Sequence, residues 1–128
     1  MHGDDALLSM FERGELDELS HRDHLRVVFA KTRQANEEEA VEFTRRGLRT
    51  LTERLGMPEK YHETLTVAWA RIVSALTAAS PAVDFAAFLD THPDLASTSF
   101  VEKYYTRQLL FSPAARDRFV APDLRDLP

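Results

Sequence analysis

Apolar residues along this chain recur at three- and four-residue intervals, and no stretch alternates with period two long enough to be a strand. The pattern therefore predicts helices. Leu7, Leu8, Met10 and Phe11 give the apolar side of a first helix over 4–13, capped by Asp4 or Asp5 and ended by Gly14. A second helix runs from His21 to Gln34, with Ser20 and Asp23 at capping-box spacing. At ~100° per residue, His21, Leu25, Val28 and Thr32 share one stripe, with His24 and Phe29 at its edges and Asp23 on the opposite side. Asn36 and Glu39 open a third helix in the same way, and Glu37, Glu38 and Glu39 suit the positive end of its dipole. Val41, Thr44, Leu48, Leu51 and Leu55 form its stripe, and Gly56 closes it.

The most apolar helix follows. Pro58 fits its first turn, and Tyr61, Leu65, Ala68, Trp69, Ile72, Val73, Leu76 and Ala79 cover a broad arc before Ser80-Pro81 ends it. On this wheel His62 lies inside the arc, between Trp69 and Val73, and Glu63 lies outside it. A short helix over Asp84–Asp90 stops at His92-Pro93, and a sixth is expected from Ser99 to Phe111. Ser112-Pro113 starts a last turn or two, Ala114 to Phe119, and the proline-bounded tail over 120–128 is expected to be irregular. Connections are short. The expected fold is all-α: a compact helical bundle of five or six helices in a single domain over 1–128.

Composition narrows the class. At 128 residues the chain can bury a core of its own. It has no cysteine, so disulfides, thiolate ligands and a cysteine nucleophile are excluded, which suits a cytoplasmic protein. The net charge of −5 and the pI near 5.5 argue against a nucleic-acid partner, and against a helix-turn-helix regulator in particular. The N-terminus lacks the basic and apolar regions of a secretory signal, and no apolar run approaches the ~20 residues of a membrane span.

Two polar motifs interrupt the apolar pattern. His21-Arg22-Asp23-His24-Leu25 opens the second helix, and Tyr61-His62-Glu63-Thr64-Leu65-Thr66 with Ala68-Trp69 opens the fourth. With Tyr104-Tyr105, Ser112-Pro113 and Phe119-Val120 they cover most of the chain from residue 20 onward, and in them the chain resembles an uncharacterised family of small all-helical bacterial proteins. The resemblance implies a short stand-alone helical protein and no particular activity.

The chemistry of these motifs suggests a site. His21 and His24, spaced i,i+3, can face one centre, and His62 could join them from a facing helix. Three imidazoles with an open fourth position would suit a divalent transition metal, zinc or iron. Asp23 or Glu63 would then serve as ligand partner or general base. In a metal-free pocket, His62, Glu63 and Tyr105 would be the catalytic groups, and Tyr61, Trp69 and Tyr104 would bind substrate. Against this stands a plainer account. Histidines at helix ends often hold backbone carbonyls, aromatics at helical spacing are usually core, and His92 beside Pro93 reads as a turn residue. Arg45, Arg46, Arg49, Arg54 and Arg71 interleave with Glu42, Glu53 and Glu59 and read as a solvated face rather than an anion cradle. The expected function is a small enzyme acting on a small molecule in a histidine-lined pocket between the second and fourth helices. A non-catalytic small-molecule binding module and a structural or protein-interaction domain are the alternatives.

Overall fold

Helix ends in this chain are set by hydroxyl, carboxylate and amide side chains that accept the free N–H groups of a first turn. In the computed structural model, which describes residues 3–128, Ser20 accepts from the Asp23 N–H at 3.1 Å and starts α2 (His21–Gln34). Asn36 accepts from the Glu39 N–H at 2.8 Å and starts α3 (Glu37–Arg54). The first helix, α1 (Asp4–Glu12), begins after Gly3 with no side-chain cap, so neither Asp4 nor Asp5 plays the expected capping role. Gly14 and Gly56 follow α1 and α3 with φ of 68° and 72°, a left-handed conformation that glycine adopts without strain.

The fourth helix starts later than Pro58 suggests. Pro58–Lys60 forms a separate 3-10 turn, and α4 (Glu63–Ala78) begins behind His62, whose ring accepts the Leu65 N–H. Asp84 caps α5 (Phe85–Thr91) through the Ala87 N–H. The sixth expected helix is broken. Pro93–Ala96 and Thr98–Lys103 are 3-10 turns, the chain bends through Tyr104 and Tyr105, and Thr106 caps the four-residue α6 (Arg107–Leu110). Ser112 with Pro113 starts α7 (Pro113–Asp117), as their order implies. The described residues are all helix, turn or irregular chain, with no strand; the extra segments raise the helix count above five or six.

The apolar stripes meet in two adjoining clusters. Leu25, Val28 and Phe29 of α2 pack with Ala68, Trp69, Ile72 and Val73 of α4, over Phe85, Phe88, Leu95, Val101, Tyr105 and Leu110. A smaller cluster joins Leu7, Leu8 and Phe11 to Val27, Ala30 and Phe43. Here α1 crosses α3 at Gly47, and a Cβ at this position would overlap the Phe11 ring. Glycine inside a helix ordinarily costs about 1 kcal/mol relative to alanine. Gly47→Ala is nevertheless expected to destabilise the fold by about 2 kcal/mol, because overpacking at the Phe11 ring outweighs the gain in helix propensity. Urea unfolding midpoints would check this, and a stabilised variant would show that the crossing yields.

The irregular tail is held in place. The Tyr105 hydroxyl donates to the Val120 carbonyl at 2.7 Å, the Thr64 hydroxyl donates to the Arg118 carbonyl at 2.9 Å, and Asp123 accepts from both the backbone and the hydroxyl of Thr106. Among the described residues no helix is long and apolar enough to cross a membrane.

Candidate functional site

A cleft of about 360 Å³ opens between the start of α2, the start of α4 and the segment 98–111. Trp69, Leu65, Val101 and Leu110 give it an apolar interior; His24 and His62 line it from facing helices, with Tyr61 beside them. Lys60, Arg107 and Phe111 are exposed lining residues and form its mouth. The volume lies at the small end of the ~300–1,000 Å³ range of ligand pockets.

The three histidines do different work. His62 is 6% exposed, and both ring nitrogens are occupied. Nδ1 accepts the Leu65 N–H at 3.0 Å, so the proton sits on Nε2, which donates to the Leu110 carbonyl at 2.8 Å. His62 thus caps α4 and ties it to α6. Burial is the main cause that lowers its pKa, opposed by the bond to Leu110 and assisted by the charge of Arg116. His21 donates from Nε2 to the Leu95 carbonyl at 2.8 Å and sets its ring edge-on to Trp69 at 4.8 Å between centroids. It does not line the cleft.

His24 is the exception. Its Nε2 is buried and has no hydrogen-bond partner among the described residues. Burial, with a smaller contribution from neighbouring His21, pushes its pKa down to about 4, so the ring is neutral at pH 7. A buried nitrogen of this kind costs about 1–3 kcal/mol unless something pairs with it.

The expected metal set does not assemble. His62 has spent both nitrogens on backbone groups and His21 has spent one, leaving His24 alone with a free buried nitrogen. Among the described residues no group of three or more histidine, aspartate and glutamate side chains is placed to hold an ion. The zinc or iron expectation therefore finds no ligand shell in the positions of His21, His24 and His62.

The expected catalytic groups are also engaged elsewhere. Glu63 is not on an outward face: it is 7% exposed and points towards α3. Arg45 donates to it from Nε at 2.9 Å and lies 2.7 Å away through Nη2; Arg49 reaches it at 3.4 Å and the Tyr61 hydroxyl at 2.5 Å. Burial alone would raise the Glu63 pKa, but these donors outweigh it and hold the carboxyl below its ordinary value. Burial and the Glu63 contact push the Tyr61 phenol up, while the ring stacks under Arg49 at 5.0 Å. Arg45 and Arg49 thus serve this buried carboxylate, whereas they read as part of a solvated face in the sequence. Tyr105 is fully buried on the tail, its phenol pushed up by burial to about 12, and Tyr104 packs at 6.0 Å against Phe100; neither lines the cleft. His92 lies against the Phe88 ring at 5.0 Å, in keeping with a turn residue.

Of the expected site residues the fold brings His24, His62, Tyr61 and Trp69 to one cavity and places His21, Glu63, Tyr104 and Tyr105 outside its lining. Lys60, Glu102, Arg107 and Phe111 were not anticipated. The one available signal was the Arg107–Phe111 pair at i,i+4, which the structure stacks at 5.1 Å. Comparison with protein-family models, curated proteins and solved structures found no match to this chain.

Proposed function

We propose that this chain is a non-catalytic binding protein for a small molecule, held in the cleft between α2, α4 and the segment 98–111. The observation that carries this reading is the unpartnered Nε2 of His24 in a residue that lines a 360 Å³ cavity. A fold gains stability by pairing or removing such an atom, so its retention is accounted for by a ligand that pairs with it. Binding is favoured over catalysis because His62, Glu63 and Tyr105 each spend their reactive atoms on groups of the protein itself. The enzyme reading would rest on His24 alone, and a base with a pKa near 4 drives proton abstraction poorly at pH 7.

His24→Leu tests the proposal through two opposite readouts. The free protein should gain about 1 kcal/mol, or roughly 4 °C in Tm, because an unpaired buried nitrogen is replaced by an apolar group of similar size. Ligands found by a thermal-shift screen of the wild type should bind this variant at least ~10-fold more weakly. A variant that loses stability and keeps its ligand affinity would make His24 a packing residue and end the proposal.

A further inference from the structure

The lining of the cleft is divided by chemistry. Its interior is aromatic and aliphatic, around Trp69, Val101 and Leu110. Its mouth carries two cations, Lys60 and Arg107, against one carboxylate, Glu102, which already lies 3.3 Å from Arg107. A chain of net charge −5 thus turns a locally positive opening to solvent. Arg116, which donates to the Glu59 carbonyl at 2.6 Å beside Lys60, adds to that field. At the same opening Phe111 is 54% exposed, held by the Arg107 guanidinium on its ring and edge-on to His62 at 6.5 Å. An exposed, positioned aromatic ring at a cavity mouth is a surface on which a planar group stacks.

Resting on the reading of the cleft as a ligand pocket, we infer that it takes a small monoanionic acid with a planar, largely apolar body, its carboxylate held at the mouth by Lys60 and Arg107, its ring lying against Trp69 and Phe111, and a polar edge left to pair with His24. Arginine offers a carboxylate two parallel donors, and lysine adds a point charge. A cationic ligand would meet two like charges, and a neutral one would gain nothing from either cation.

Three probes with one aromatic body and different charge separate the possibilities: naphthoate, naphthamide and naphthylmethylamine. Each is titrated into the full-length protein at pH 7 and low salt, with backbone amide chemical shifts as readout. Naphthoate is expected to shift Trp69, Val101 and Phe111 and to bind about tenfold more tightly than naphthamide. The Lys60→Gln/Arg107→Gln double variant, whose folding is checked by its thermal melt, should lose that advantage and bind naphthoate no more tightly than naphthamide. If naphthamide or the amine binds as tightly as naphthoate at these residues, the pocket stands and the anionic class is wrong. If naphthoate shifts only residues outside the cleft, the inference falls. If no probe perturbs the cleft at millimolar concentration, the inference falls, whereas the binding reading stands or falls by the thermal-shift screen and His24→Leu.

Discussion

Acidification from pH 7 to pH 4 is expected to cost the fold about 3 kcal/mol through His24 alone. The imidazole has an ordinary pKa of 6.5 and is held at about 4 in the folded chain, chiefly by burial. Between those values the unfolded chain takes up a proton that the folded chain refuses. Stability is therefore complete above 6.5, falls as pH falls towards 4, and levels off below that for this group. His62 acts in the same direction, since its pKa is also lowered and its Nδ1 must stay unprotonated to accept the Leu65 N–H. The lowered carboxyls of Glu63 and Asp123 lose their contributions further down, as pH drops below their ordinary values of 4.5 and 3.8. The histidine interval is thus separable from the carboxylate interval. Urea unfolding of wild type and His24→Leu at pH 7, 6, 5 and 4.5 should give two curves about 1 kcal/mol apart at pH 7 that separate further as pH falls, with the variant the more stable throughout. Parallel curves across that interval would remove His24 as the acid-sensitive group.

The starts of α2, α3, α5 and α7 were legible because their punctuation is local. Ser20, Asn36, Asp84 and Ser112 each cap the helix that follows them, and Gly14 and Gly56 each end one. The start of α4 was not legible in this way. Proline at 58 is the stronger written signal, and histidine is outside the usual set of capping residues. Its cap is completed from elsewhere in the chain, by the carbonyl of Leu110, which no local pattern contains. On the wheel Glu63 lies opposite the apolar arc wherever the helix starts; it is buried because α4 is covered on that side too, where Thr66, Ala70 and Thr77 are also buried and Arg45 of α3 meets the carboxylate. The segment 99–111 misled for a related reason. Its apolar spacing suits a helix, but Tyr105 is drawn to Val120 and Thr106 to Asp123, and these distant bonds break the run.

The candidate site was half legible. Two histidine motifs on two helices do bring His24 and His62 to the same cavity. What each nitrogen faces is a tertiary fact. Carbonyls of Leu95 and Leu110, more than forty residues away along the chain, occupy His21 and His62 and leave only His24 uncommitted. A cluster read as three equivalent ligands is two structural ties and one unpaired group.

Glu63→Ala is expected to destabilise the protein by about 2–3 kcal/mol. The cost of breaking a buried ion pair runs to about 3–5 kcal/mol when the remaining charge has no escape. Here the Arg45 side chain is 27% exposed and also meets Glu42 at 2.8 Å, so part of its charge returns to water. Three further losses restore the figure. The Tyr61 hydroxyl gives up its 2.5 Å bond to a carboxylate, α4 loses an anion in its first turn, and a cavity opens where the side chain was. Arg49→Ala should cost less than ~1 kcal/mol by comparison, since its side chain is 49% exposed and its contact is 3.4 Å long. The coupling of Glu63 with Arg45, measured by a double-mutant cycle with Glu63→Gln and Arg45→Met, should therefore exceed the coupling with Arg49. Equal couplings, or a Glu63→Ala cost below ~1 kcal/mol, would mean that the carboxylate is solvated and does not hold α3 to α4. The effect should reach the cleft as well, because Tyr61 lines it and is fixed there by Glu63. Ligand affinity should fall in Glu63→Ala while His24 is untouched, which separates the wall of the pocket from the group inside it.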